Sequence, residues 1–147
     1  KGMSIVTDLS ARDLVRIDPD ATEQILGNLF SNIEKYAVSG REMLIKSQAE
    51  PDRTRIFIRD YGPGIPADKL EFVFQPFTRL SDNLSEGVSG TGIGLAIARD
   101  LARLHDGDVT IIWANGPVGN RSECPGFPRA EGVCFEVTLY TPGPAAV

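Results

Sequence analysis

Residues 42–60, EMLIKSQAEPDRTRIFIRD, place two strand-forming stretches on either side of Glu50-Pro51-Asp52. Three residues built around a proline make a turn and leave no room for a crossover helix, so these strands pair as a hairpin. The other strand candidates follow the same habit. Two lie at about 3–9 and 13–17, and two more near 108–113 and 133–140 enclose a Gly/Pro-rich excursion. Helices fall at about 20–36, at about 66–73 (a short piece), and after the glycines that end at Gly94. Asp20 and Glu23 form a capping-box pattern at the first helix, with Pro19 just before it. Ile97, Leu101 and Leu104 sit at core spacing on the last helix. Strands adjacent in sequence, with helices grouped apart, predict an α+β fold. The expected form is a two-layer sandwich of a mixed, mostly antiparallel sheet with helices on one face, not a doubly wound parallel sheet.

The chain of 147 residues is one domain, and 41% apolar content supplies a core. No apolar run approaches the ~20 residues that cross a bilayer. A net charge of -5 argues against a nucleic-acid or anionic-membrane surface. Cys124 and Cys134 lack metal-ligand spacing and read as ordinary reduced thiols, with a pairing across the loop between them left open. The chain opens on Lys1 without a signal segment and reads as a piece of a longer protein.

The stretch GVSGTGIGLAIARD, 87–100, runs four glycines straight into a helix. Glycine loses much backbone entropy on folding, so such a cluster suits a loop whose N–H groups approach phosphate closely at a helix N-terminus. Gly90, Gly92 and Gly94 are evenly spaced and follow a polar loop, which is not the dinucleotide fingerprint. There is no G-K-[ST], which excludes the P-loop.

NLFSNIEKYA adds a second element. Asn28, Asn32, Lys35 and Tyr36 fall along one side of the first helix, beside the apolar stripe Ile25, Leu29 and Ile33. Asparagine is unfavourable inside a helix, so a row of this kind suggests a site. Amide oxygens suit a hard cation such as Mg²⁺, and lysine supplies a point charge for phosphate. A third element, DYGPGI at 60–65, displays the Asp60 carboxylate at a strand end, where it can accept from an amino group. Gly62 and Gly64 permit close ligand approach there. The fourth, FQPF at 74–77, reads as a hydrophobic anchor for the loop that follows.

In this order the four elements resemble the ATP-binding catalytic domain of two-component sensor histidine kinases. That domain belongs to the wider superfamily of gyrase, the heat-shock chaperone ATPases and the mismatch-repair ATPases (the GHKL or HATPase group). NLFSNIEKYA is similar to the family's N box, DYGPGI to its first glycine box, FQPF to its F box and GTGIGLAI to its second glycine box. The resemblance covers about 1–140 and implies a Bergerat-type sandwich of a five-stranded mixed sheet and three helices. It implies ATP and Mg²⁺ as ligands. Asn32 takes the place of the metal-holding asparagine, with Asn28 one turn earlier supporting the same ion. Lys35 takes a phosphate contact, and Tyr36 lies beside the nucleotide. Asp60 takes the place of the aspartate that recognises the adenine amino group, with Gly62, Gly64 and Ile65 lining the base pocket. Gly90, Thr91, Gly92, Gly94 and Leu95 fall at the phosphates. Residues 78–91 correspond to the ATP lid, in which Arg79 stands where many relatives carry a basic residue.

Several positions depart from the family pattern. Ile33 follows the metal asparagine where a small residue is usual, and is expected in the core. HDGD keeps only Gly107 after the last helix, enough for a left-handed stop. The excursion over about 114–132 exceeds the usual hairpin connection and reads as a surface insertion, with a partner contact left open, and 141–147 forms a tail. Relatives that hydrolyse ATP place a glutamate one turn before the metal asparagine. Asn28 stands there and has no useful basicity, which favours transfer to a protein acceptor. The resemblance thus implies a protein histidine kinase, with Asn32 and Lys35 as catalytic residues. Its acceptor histidine lies on a separate dimerisation and phosphoacceptor domain of the same protein, which passes the phosphate to a response regulator. The resemblance further implies a cytoplasmic domain without direct membrane contact, in a homodimer whose full length allows an inner-membrane anchor. His105, the only histidine, is read as structural. A GHKL-type ATPase, a serine/threonine-type kinase and a non-catalytic nucleotide-sensing module stay open as alternatives.

Overall fold

A computed structural model describes residues 4–9, 17–36, 42–75, 94–116, 118 and 131–142. The elements are β1 (Ser4–Leu9), α1 (Pro19–Tyr36), β2 (Glu42–Ala49), β3 (Arg53–Asp60), a 3-10 helix (Ala67–Phe72), α2 (Gly94–Leu104), β4 (Asp108–Ala114) and β5 (Val133–Tyr140). The strands form one five-stranded sheet in the order β1-β2-β3-β5-β4. β1 runs parallel to β2, and the other three pairings are antiparallel. The mixed α+β sheet expected from the hairpins is therefore present. Among the described residues its helical complement is two α-helices and one 3-10 helix. The strand expected at about 13–17 lies outside the described residues except for Ile17, which is not in a strand.

Strand alternation assigns the core. Ile45, Ile58, Phe135 and Ile111 are successive partners across four strands, and Ile56, Val137 and Val109 form the next row. All seven face the helices and join Ile25, Leu29 and Ile33 of α1 in one cluster. The α1 stripe is 0–1% exposed, so the bulky Ile33 does pack in the core. On α2 Leu95, Ala98 and Ala102 join this cluster, with Leu101 partly buried against it, and Ala96 is buried as well. Leu104, expected in the core, is 77% exposed. The helix rests on its small residues, which let α1 approach, and its last turn runs past the apolar layer.

Both helix ends correct the reading in detail. The α1 cap is Asp18, not Asp20. The Asp18 Oδ1 accepts from the Asp20 and Ala21 N–H groups at 3.0 and 3.1 Å, leaving Pro19 at the first helical position, where it lacks only an orphan donor. At the end of α2, Gly107 N donates to Ala102 O at 2.8 Å and Asp106 N to Arg103 O at 3.2 Å, a Schellman pair. The left-handed residue is Asp106, with φ 62°, and not Gly107. Gly107 is required for another reason: a Cβ there would collide with Thr138 O.

The opposite face of the sheet carries a smaller cluster of Phe57, Ile112, Trp113 and Cys134. A register shift between Ile111 and Trp113 bulges β4 and lets both Ile112 and Trp113 bury there. Cys134 is fully buried, while Cys124 lies outside the described residues.

Candidate functional site

The site forms where β3 ends, β5 begins and α1 passes the N-terminus of α2. Asp60 is the last residue of β3 and faces the helical layer, in register with Met43 of β2. It is only 4% exposed. Its Oδ1 accepts from Gly62 N at 3.0 Å and from Val133 N at 3.2 Å. Among the described residues no donor lies on Oδ2. One carboxylate oxygen is thus fixed by two main-chain groups, and the other is presented as an acceptor. Burial pushes the Asp60 carboxyl above its ordinary value, while the two N–H groups and the neighbouring Arg59 charge pull it back.

The loop after Asp60 is shaped by glycine. Gly64 has φ +84°, a conformation that L side chains rarely adopt, and a Cβ there would meet the Asn115 amide. Ile65, next in the chain, is buried in the main cluster together with Leu95. Gly94, the first residue of α2, lies beside Asn28, whose Oδ1 would be 3.8 Å from a Cβ at that glycine. The middle of α1 and the positive end of α2 therefore come together.

Asn28 Nδ2 is buried and has no hydrogen-bond partner among the described residues. Nδ2 is a donor, so the group it lacks is an acceptor, and a cation would be met by the amide oxygen instead. Asn32, half-buried, follows one turn later. An amide pair of this kind fits a hard cation with oxygen ligands. Among the described residues no cluster of three His, Cys, Asp or Glu offers an alternative centre. Lys35 and Tyr36 occupy the last turn of α1. Arg79, Gly90, Thr91 and Gly92, and with them the expected lid at 78–91, lie outside the described residues. So do Pro76 and Phe77 of FQPF and most of the 114–132 excursion.

Three participants were not in the motifs. Val133 supplies the second N–H to Asp60. Gly132, with φ +105°, lies so close to the Asp60 carbonyl that a Cβ would collide with it. Asn115 spans the gap: its Oδ1 accepts from Gly132 N at 2.6 Å and its Nδ2 donates to Pro63 O at 3.1 Å. The Asn115-Gly116 dipeptide is a turn signal, and Asn115 does hold φ 57°. Its contact with the 62–65 loop is not readable from that signal.

Residues 17–143 match the family described as histidine kinase-, DNA gyrase B- and HSP90-like ATPase. The chain is similar to the sensor histidine kinase WalK of Bacillus subtilis (strain 168), with 37% identity over 80% of this chain and 19% of that protein. It is also similar to the sensor protein KdpD of Escherichia coli (strain K12), with 33% identity over 94% of this chain and 14% of that protein. The chain therefore spans a fifth or less of the length of these two relatives. The mycobacterial sensor histidine kinase MprB has the same fold, with a TM-score of 0.73 and 21% identity over 96% of this chain and 85% of that one. Full-length ShkA, solved in complex with AMPPNP, matches with a TM-score of 0.71 and 24% identity over 99% of this chain and 27% of that one.

Proposed function

The chain belongs to the histidine kinase-, DNA gyrase B- and HSP90-like ATPases, and we propose that it binds Mg-ATP and transfers the γ-phosphate to a histidine on a separate dimerisation and phosphoacceptor domain. The observation that carries this reading is Asp60, a buried carboxylate with Oδ1 clamped by two N–H groups. An acceptor-only group in that setting suits the exocyclic amino group of adenine. Gly62, Gly64 and Ile65 line the base pocket.

Asn32 and Asn28 hold Mg²⁺ through their amides, and the bound ion neutralises charge on the phosphates. Lys35 and Arg79 add positive charge, and Tyr36 lies beside the nucleotide. Gly90, Thr91, Gly92, Gly94 and Leu95 bring main-chain donors and the α2 N-terminus to the phosphate end. Phosphoryl transfer asks the protein mainly to position groups and offset charge, and these residues are of the types that do so.

Transfer is favoured over hydrolysis because, among the described residues of α1, no general base stands beside the metal amides. Asn28 occupies the place one turn before Asn32, and Glu23 and Glu34, the glutamates of α1, are exposed. His105 is not the acceptor in this reading. It neighbours Asp18 at the start of α1, with Nε2 4.0 Å from Oδ2. Ten residues of helix separate Asp18 from Asn28, roughly 15 Å. The partners are the phosphoacceptor domain of the same protein and, through it, a response regulator. The domain works in the cytoplasm as part of a homodimer.

Incubation with radiolabelled Mg-ATP and a phosphoacceptor domain tests this. The expected product is acid-labile, base-stable phosphate on the acceptor histidine, with none on His105. Asn32→Ala should abolish the Mg²⁺-dependent gain in ATP affinity and the transfer while the melting temperature holds. Rapid release of inorganic phosphate without transfer would instead identify an ATP hydrolase.

A further inference from the structure

The start of β5 is held by three different side chains on three successive residues. Arg59 Nη2 donates to Glu131 O at 3.2 Å, Asn115 Oδ1 accepts from Gly132 N at 2.6 Å, and Asp60 Oδ1 accepts from Val133 N at 3.2 Å. Asn115 also uses its main chain, donating its own N–H to Gly132 O at 2.9 Å. Its remaining side-chain group, Nδ2, donates to Pro63 O at 3.1 Å. The two N–H groups that fix Asp60 belong to Gly62 and Val133. Each is the immediate chain neighbour of a residue that Asn115 holds, Pro63 on one side and Gly132 on the other.

We propose that Asn115 is a positioning residue for base recognition. By bridging the 62–65 loop to the start of β5, it sets the separation of the two N–H groups on Asp60 Oδ1, and so the direction in which Oδ2 points. Asparagine suits this place on two counts. It tolerates the left-handed backbone observed, φ 57°, and it carries both a donor and an acceptor on one short side chain. Asn115 itself is exposed. Its contribution is therefore not core packing, and its removal opens no cavity. The inference rests on the reading that Asp60 recognises adenine, and extends it to a residue beyond the β3 motif.

The test is titration of ATP and GTP, each with Mg²⁺, into the wild type, Asn115→Gly, Asn115→Asp and Val109→Ala. Glycine accepts the backbone conformation without strain, so Asn115→Gly removes only the bridge. Asn115→Asp keeps an acceptor for Gly132 N but turns a carboxylate oxygen toward Pro63 O. Val109→Ala is a destabilising control in the fully buried core. The wild type should prefer ATP about tenfold or more, and Asn115→Gly should reduce that preference about threefold or more, roughly the effect of one net hydrogen bond. Asn115→Asp should shift it in the same direction, and it carries the test should the glycine variant fail to fold. Val109→Ala should lower the melting temperature and leave the preference unchanged. A discriminating wild type whose folded Asn115 variants keep the full preference overturns the positioning role alone. A wild type that binds both nucleotides equally overturns the reading of Asp60 beneath it.

Discussion

Arg59 and Asp60 are consecutive in β3, are 0% and 4% exposed, and project to opposite faces of the same sheet. Asp60 enters the helix-covered layer at the point where that layer stops being hydrocarbon. Arg59 lies on the other face in a row that runs from Leu44 through Arg59 and Cys134 to Trp113. Its guanidinium stacks 4.8 Å from the Tyr61 ring centroid and 5.4 Å from that of Trp113. The two charges are buried for different purposes. Asp60 keeps one oxygen without a donor among the described residues, and in the proposed reading that oxygen meets the base. Arg59 is surrounded by rings and a main-chain carbonyl and serves the sheet.

The helical face should be the more sensitive of the two to truncation. Phe135, 1% exposed, sits in the middle of the Ile45–Ile58–Phe135–Ile111 row. Phe135→Ala should cost about 3–5 kcal/mol in denaturant unfolding, the transfer loss plus the cavity. A loss no larger than that of a surface substitution would mean the core is centred elsewhere. On the opposite face, Arg59→Lys keeps the charge and removes the planar stack. It should cost about 1–2 kcal/mol, since lysine cannot reproduce the paired ring contacts. An unchanged stability would make that stacking incidental and erase the contrast between the faces.

Asp60 should behave in the opposite sense, because burial of its carboxylate works against stability. Burial raises its carboxyl above the ordinary value of roughly 3.9, so the folded state binds this proton more tightly than the unfolded chain does. The stability it contributes is fully present below the unfolded value and is lost as pH rises through the folded one. An amide at this position has no such titration. The melting temperature of Asp60→Asn relative to wild type should therefore rise by a small amount between about pH 4 and pH 7. A fall over that interval would mean that the N–H groups and Arg59 outweigh burial.

The helical face is legible in the sequence because apolar spacing and strand alternation are local. Ile25, Leu29 and Ile33 recur at one turn, and the hairpin at Glu50-Pro51-Asp52 sets the register of β2 on β3. Asn28, Asp60 and Gly94 stand out in the sequence for the converse reason. Each is a residue type that the local structure does not favour, set beside an apolar stripe or at an element end. The α1 cap falls two residues before the expected one, because Asp18 and Asp20 are both plausible caps until the Pro19 position is known. Leu104 departs from its expected place because periodicity does not say where the partner layer ends. Arg59 is invisible, since a charged residue alternating with Ile58 reads as solvent-facing. Asn115 is invisible because its partners lie 17 and 52 residues away.

What most directly tests the division of labour between these neighbours is the affinity of wild type and Asp60→Asn for ATP and GTP. Guanine offers a carbonyl oxygen where adenine offers an amino group, and an unpaired buried acceptor costs on the order of 1–3 kcal/mol. The wild type should bind ATP about tenfold or more tightly than GTP. Asp60→Asn should lose much of that preference, since its amide can turn NH₂ toward guanine. Equal affinity of the wild type for the two nucleotides, or a full preference retained by Asp60→Asn, would contradict the assignment of Asp60 to the base.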